Sequence, residues 1–147
     1  MYAEYGRLLW RALLVTAGGR AEIAEDATAE AFTRLLTYRA GVHDPQAWLF
    51  RTGSRLVIEE LRRQQRLVPA ADWATPDRSE SPFSGELSAA LALLAPEQRL
   101  VLFLIHYADL PLREVARLTG STLAAVKVRA HRGRKALRTL LEEGTHA

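Results

Sequence analysis

Apolar residues recur at helical spacing along most of the chain, and no stretch alternates strictly between apolar and polar positions. The pattern predicts a first helix over residues 5–17 and a second over 21–38. A third helix is predicted from Pro45 to the basic run that ends at Arg66, because Asp44 offers a capping carboxylate and proline suits the first helical turn.

Residues 67–85 break this pattern. Prolines and serines are frequent there and apolar residues are sparse. The stretch contains three acidic residues and one basic residue. This composition is typical of a flexible linker. The helical pattern resumes at Glu86, and Pro96 begins a further helix. We therefore predict an all-α protein in which two small helical domains, 1–66 and 86–147, are joined by the flexible linker 67–85.

The end of the chain has the layout of a helix-turn-helix. A short amphipathic stretch over 112–119 stops at Gly120, and the hydroxyl of Thr122 is placed to cap a second helix. In such motifs the second helix enters the major groove of DNA. We therefore expect the second domain to bind duplex DNA.

At about 100° per residue, the second helix of this motif has a buried arc and an exposed arc. The buried arc contains Val126, Ala130, Gly133, Leu137 and Leu140, and the glycine predicts the close approach of another helix. The positions predicted to face base edges are Ala124, Lys127, Val128 and His131. Those predicted to contact phosphates are Arg132, Arg134, Lys135 and Arg138. Arg129 borders the buried arc and either pairs with Glu114 or reaches DNA.

Basic residues are unevenly spread over the 147 residues, whose net charge is +3. Residues 86–147 contain nine Lys or Arg and six Asp or Glu. Residues 1–66 contain ten Lys or Arg and eight Asp or Glu. The helix that would read DNA has no acidic residue between Val126 and Arg138. A surface of this kind attracts a phosphate backbone.

Other classes of function find little support. The chain has no cysteine, which excludes disulfides and thiolate metal sites, and its four histidines lack ligand spacing. Without a nucleophile motif or a phosphate loop, we expect no enzyme, metal or cofactor, and we interpret His106 as a packed side chain. With no signal peptide and no long apolar run, a cytoplasmic protein without membrane insertion is expected.

Several motifs together resemble one family. Residues 96–99 (Pro-Glu-Gln-Arg), 112–116 (Leu-Arg-Glu-Val-Ala) and 126–134 resemble region 4 of the extracytoplasmic-function sigma factors of the sigma-70 type. Residues 24–32 resemble the family's segment for binding the RNA polymerase clamp. Residues 44–49, on the helix that ends in the basic run, resemble the part that meets the −10 promoter element. The resemblance covers almost the whole chain in the family's order.

The resemblance implies a sigma factor that directs core RNA polymerase to promoter DNA and initiates transcription. It implies that the −35 element is read by the helix-turn-helix. It assigns −10 contacts to the third-helix residues Arg51, Arg55, Arg62 and Arg63. Polymerase contacts would come from Glu25, Asp26, Glu30 and Phe32. It also implies an anti-sigma factor as a partner.

The chain also departs from the family's pattern. Ala29 stands where the family often has Gln, and Arg55 and Glu59 stand where it usually has Asn and Asp. The alternative is a sigma-like or helix-turn-helix transcriptional regulator that binds DNA or polymerase without initiating transcription. Trp48 either packs in the core or offers a stacking platform for unpaired bases.

Overall fold

The computed structural model describes residues 2–67 and 85–146, and every regular element in those two ranges is helical. The α-helices of these ranges are α1 (Tyr2–Thr16), α2 (Ala21–Tyr38), α3 (Pro45–Leu67), α4 (Gly85–Leu91), α5 (Pro96–Leu102), α6 (Leu112–Thr119) and α7 (Leu123–His146). A 3-10 turn (Arg39–Gly41) follows α2, and a π-helical turn (Phe103–Tyr107) follows α5. The all-α prediction is confirmed. The predicted linker 67–85 overlaps the ends of α3 and α4, and the rest of it lies outside the described residues.

The helix boundaries follow from local chemistry. Gly18 and Gly19 adopt positive φ angles of 67° and 87°, which turns the chain sharply between α1 and α2. The carboxylate of Asp44 accepts a hydrogen bond from the Ala47 N–H at 3.2 Å, so it caps α3 as predicted. At the start of α5, the Gln98 side chain accepts a hydrogen bond from the Ala95 N–H at 3.2 Å.

Helices α1, α2 and α3 pack on one another to form the first helical unit. Its fully buried side chains include Leu9, Leu13, Ala24, Leu49 and Val57. Gly53 allows α3 to approach α1 closely, since an ideal Cβ at Gly53 would lie only 2.8 Å from Cδ1 of Leu13. The absence of a side chain at Gly53 therefore sets how closely α3 lies against α1.

Helices α4 to α7 form the second unit. Leu91, Leu94 and Leu102 are buried together, and Leu137 of α7 packs against them. An ideal Cβ on Gly133 would lie 3.1 Å from Cδ1 of Leu102, so the close helix approach predicted for this glycine is observed. The long helix α7 thus lies directly on α5.

The two units share one continuous core. Helix α1 packs on α5, and α3 packs on α6. Leu100, Val101 and Leu118 of the second unit belong to the same buried cluster as Leu9 and Leu13 of the first. The sequence predicts two domains on a flexible linker and gives no sign of this packing, so the shared core is a finding of the structure.

The π-helical turn changes the position of His106. His106 lies inside this turn, and because a π turn contains more residues than an α turn, side chains within it are rotated from their α-helical projection. His106 is exposed, and its Nε2 atom lies 3.4 Å from Nη1 of Arg134. The interpretation of this histidine as a packed side chain is therefore wrong.

The surroundings of Gly53 and Gly6 predict that replacement by alanine changes the free energy of unfolding in opposite directions at the two positions. Gly53→Ala should lower the free energy of unfolding by about 1–3 kcal/mol, because overpacking against Leu13 outweighs the gain in helix propensity. Gly6, inside α1, has its nearest neighbour, Cζ of Phe32, 4.0 Å from the ideal Cβ. Gly6→Ala should raise the free energy of unfolding by about 0.5–1 kcal/mol. Urea unfolding of both variants measures this, and effects of the same sign would contradict the packing described.

Acid titration provides a second prediction. Hydrogen bonds from Arg63, at 2.9 Å and 2.5 Å, and then from Gln64 lower the pKa of Glu60 from 4.5 to about 2. A carboxylate with a lowered pKa stabilises the fold above its unfolded-state pKa, and that contribution is lost as the pH falls through the folded-state value. We expect Arg63→Gln to return the pKa of Glu60 toward 4.5. An NMR titration of Glu60 measures this, and an unchanged midpoint would exclude Arg63 as the cause.

Candidate nucleic-acid interface

The helix-turn-helix is set by its turn. Gly120 adopts a left-handed conformation with φ of 69°, and its N–H donates to the carbonyl of Ala116 to end α6. Thr122 Oγ1 then accepts a hydrogen bond from the Ala125 N–H at 3.0 Å. This is the hydroxyl cap predicted for the second helix, and it fixes where α7 begins.

Helix α7 presents one side to solvent and the other to the core. All four positions predicted to face base edges are exposed, namely Ala124, Lys127, Val128 and His131. Val126 and Ala130, on the opposite arc, are buried. Val128 leaves 46% of its surface exposed, so its methyl groups are accessible for contact with a thymine methyl group.

A second exposed group on α7 is basic. It contains Arg132, Arg134, Lys135 and Arg138, all of which were predicted to contact phosphates. Arg129 is different, because it is half-buried and donates a hydrogen bond to Ser121 Oγ at 2.6 Å. Glu114 accepts hydrogen bonds from Arg117 instead, so the alternative in which Glu114 pairs with Arg129 is wrong.

The third-helix arginines predicted to meet the −10 element are all exposed, but three have protein partners. Arg51 donates to the main-chain carbonyl of Arg117, from Nε at 3.0 Å and from Nη2 at 2.6 Å. Arg62 pairs with Glu97 at 3.2 Å, and Arg63 pairs with Glu60. Arg51 and Arg62 thus bind the second unit in this conformation.

Three of these arginines, Arg51, Arg55 and Arg62, line a cleft of about 720 Å³ between α3 and the helix-turn-helix. Arg55 and Trp48 come from α3, and Gly120, Ser121 and Arg129 come from the opposite side. Trp48 is half-buried and packs against the core while also lining the cleft. One part of its surface therefore lies against the core, as predicted, and another part faces the cleft, while its role as a stacking platform stays a prediction.

The side chain of Arg117 on α6 also joins the two units. Its guanidinium bonds to Asp44 and Glu114, and Nη2 donates to Oε1 of Gln46 at 2.9 Å. The hydrogen bond from Arg117 is the main cause that lowers the pKa of Asp44, and both acids raise the pKa of Arg117. Sequence reasoning did not single out this arginine, because Asp44 and Gln46 lie about seventy positions away in the chain.

The acidic side of α2 lies apart from these contacts. Glu25, Asp26 and Glu30 are exposed, and Glu30 pairs with Arg34 at 2.9 Å within the same helix. Phe32 is half-buried and packs against the core of the first unit. The predicted polymerase contacts therefore consist of an exposed acidic surface and a neighbouring, partly covered aromatic ring.

Within 2–67 and 85–146, no group of three His, Asp or Glu side chains is arranged to hold a metal ion. No helix of those ranges combines the length and apolar character needed to cross a bilayer.

The two halves of the chain match two family models. Residues 1–67 match the model described as Sigma-70 region 2, and residues 84–137 match Sigma-70, region 4. The solved structure of the sigma factor RpoE in complex with the anti-sigma factor NepR from Bartonella quintana is similar in fold. Its TM-score is 0.71 at 21% identity, and the match covers 95% of this chain and 93% of that one.

Curated relatives agree with this assignment. The ECF RNA polymerase sigma factor SigL of Mycobacterium tuberculosis is 31% identical over 97% of this chain and 88% of its own length. SigE of Mycolicibacterium smegmatis is 32% identical over 84% of this chain, which spans only 53% of that relative. CarQ of Myxococcus xanthus, an RNA polymerase sigma factor, is 30% identical over 82% of this chain and 76% of its own. With both regions matched in order and a helix-turn-helix in place, the chain belongs to the extracytoplasmic-function sigma factors of the sigma-70 family, which direct RNA polymerase to promoters.

Proposed function

We propose that this chain brings core RNA polymerase to promoters by holding the enzyme with α2 and promoter DNA with α3 and α7. The observation that carries the proposal is the division of α7 into a buried arc and an exposed, basic one, behind a turn fixed by Gly120. The domain boundaries we propose are 1–66 for the first domain, 67–85 for the linker and 86–147 for the second. The role is regulatory, and we place it in the cytoplasm.

Duplex reading is assigned to the exposed arc of α7. Lys127 and His131 have donors for base edges or phosphates, and Val128 offers an apolar contact. Arg132, Arg134 and Lys135 add charge on the flanks, where phosphate contacts set the position of the helix without reading sequence.

Strand binding at the −10 element is assigned to α3 and the cleft beside it. Arg55 is exposed at the position where the family usually has Asn, and a guanidinium lacks the paired donor and acceptor of an amide. We therefore expect this surface to bind the strand mainly through its phosphates, with Trp48 stacking on a base. Sequence reading at −10 should be weaker than in relatives that carry the amide.

Two protein partners are proposed. The exposed carboxylates of Glu25, Asp26 and Glu30 would dock on basic groups of the polymerase clamp, beside Phe32. An anti-sigma factor is the second partner, because the RpoE structure that resembles this chain was solved with one. The alternative function, a regulator that binds DNA or polymerase without initiation, finds support only in Ala29, Arg55 and Glu59.

In vitro transcription with core polymerase on a promoter library tests the proposal. Transcripts that start downstream of a shared motif are expected. Binding to polymerase without transcripts would instead support the alternative function, and specific DNA binding without any affinity for polymerase would indicate an ordinary helix-turn-helix regulator.

Substitutions on α7 should separate base contacts from phosphate contacts. Lys127→Ala and His131→Ala should change which upstream element is selected, with a cost of about 1–3 kcal/mol at the affected position. Arg134→Ala should weaken binding to all DNA sites about equally. It should also reduce the slope of log binding constant against log salt concentration by about one. Selection from a randomised −35 library measures both effects, and a changed preference with Arg134→Ala would show that the helix faces DNA differently.

The acidic surface of α2 should control affinity for the enzyme. Charge reversal in Glu25→Lys combined with Asp26→Lys should weaken binding to core polymerase by about tenfold or more, because like charges would face each other at the contact. Glu142→Lys combined with Glu143→Lys, which reverses two adjacent and likewise exposed acids on α7, is the matched control. Equal affinities of both variants, measured by fluorescence titration with core enzyme, would exclude this surface.

A further inference from the structure

The cleft between α3 and the helix-turn-helix has the size of a small-molecule site. Its volume of about 720 Å³ lies within the range of about 300–1,000 Å³ that is usual for ligand pockets. Arg51 donates to the Arg117 carbonyl across the cleft. Further along α3, at a distance of about 16 Å from the helical rise, Arg62 pairs with Glu97 across it. A ligand that lies between these two cross-contacts is therefore short.

The walls of the cleft are held in place by the core behind it. Arg99 of α5 is only 5% exposed, and it donates to the Thr16 carbonyl at 2.6 Å and to the Leu94 carbonyl at 2.5 Å. A buried guanidinium keeps such acceptors close, because an unpaired buried cation is costly. Leu100 and Val101 follow it on α5 and line the cleft. The site is thus formed before a ligand arrives.

Two residues at which the chain departs from its family lie in this cleft. Arg55 stands where the family usually has Asn, and Glu59 stands where it usually has Asp. They are one turn apart on α3, yet among the residues that the structure describes neither has a hydrogen-bond or ion-pair partner. Their polar groups are therefore available to a ligand.

The opposite wall contributes another cation. Arg129 of α7 is half-buried, and its guanidinium donates to the neutral hydroxyl of Ser121 at 2.6 Å. Within 2–67 and 85–146, no carboxylate forms an ion pair with it. A positive charge that is partly withdrawn from water and not offset by an acid favours the binding of an anion.

The charges in the cleft indicate which anion fits. Apart from the ion pair of Arg62, the charged groups that line it are Arg51, Arg55, Arg129 and Glu59. Three cations and one carboxylate leave a net charge of +2. A phosphate monoester carries a charge of about −1.5 to −2 at neutral pH. Guanidinium groups bind such a phosphate through paired N–H donors.

An aromatic ring lies on the same face of α3. Trp48 and Arg55 are seven residues apart, which is two helical turns and about 10 Å along the axis. The Trp48 ring packs partly against the core, so it is held in position, and it also lines the cleft. A base stacked on this ring would place its own phosphate within reach of the Arg55 side chain.

We propose that the cleft binds a nucleoside monophosphate, with the base stacked on Trp48 and the phosphate between Arg55 and Arg129. The inference goes beyond the proposed function, because the ligand is a free nucleotide and one wall of its site belongs to the second unit. A DNA strand offers the same chemistry, a base and a phosphate. A strand held by α3 does not need Arg129, so this residue distinguishes the two ligands.

Isothermal titration calorimetry of the full chain with AMP tests the site. AMP should bind at least about tenfold more tightly than adenosine, which lacks the phosphate, or inorganic phosphate, which lacks the base. Arg55→Gln and Arg129→Gln should each weaken AMP binding by about tenfold or more, because each removes a hydrogen bond between charged groups. Arg66→Gln on α3 and Arg113→Gln on α6 are the matched controls, since both arginines are exposed and lie outside the cleft lining. Circular dichroism checks that every variant is folded.

The acidic residue of the cleft provides an independent measurement. Glu59→Gln removes the carboxylate that offsets one of the arginines, so the affinity for AMP should rise. ADP carries more negative charge than AMP, and its affinity should rise by a larger factor. Glu86→Gln makes the same change at an exposed position of α4 and should alter neither affinity. Equal gains for AMP and ADP would contradict the charge balance on which the choice of ligand depends.

The results distinguish this site from the proposed −10 role of α3. Binding of random single-stranded DNA should weaken with Arg55→Gln and not with Arg129→Gln, whereas AMP binding should weaken with both. If Arg129→Gln leaves AMP binding unchanged, the two-walled site is overturned. Equal affinities for AMP and inorganic phosphate would show a general anion-binding surface and overturn it as well. Absence of AMP binding with retained strand binding would overturn this inference alone, and absence of both would also overturn the −10 role.

Discussion

A guanidinium that is buried away from water must find acceptors for its N–H groups, and Arg99 finds them in both halves of the chain. Its partners are main-chain carbonyls at the end of α1 and after α4, so the contact fixes backbone against backbone. The shared core extends this junction through Leu100, Val101 and Leu104. The positions of α3 and of the helix-turn-helix relative to each other follow from it.

That relative position has consequences for DNA binding. The cleft between α3 and the turn at Gly120 contains arginines from both units, and two of those on α3 already bond across it. The exposed side of α7 is turned to solvent in the same conformation. In this conformation Arg51 and Arg62 of α3 have protein partners, while the outer arc of α7 has none of its predicted base-edge positions buried.

Much of this fold was predictable because its signals are local. The bounds of α2, the cap at Asp44, the glycine stop at Gly120 and the cap at Thr122 all depend on residues within a few positions of one another. The exposed and buried arcs of α7 follow from helical periodicity alone. The contacts of Arg99 and Arg117 were not predictable, because an arginine that bonds to distant partners looks like any surface arginine in a sequence. His106 was misplaced because periodicity does not indicate a π-helical turn.

The central claim is that the two sigma domains of the free chain form one compact body. Small-angle X-ray scattering of the monomer at neutral pH and moderate salt measures this directly. For 147 residues in a single compact unit, the radius of gyration should be about 15 Å, with a single maximum in the pair-distance distribution. A markedly larger radius with two maxima, as expected for separate domains on a flexible linker, would contradict the account.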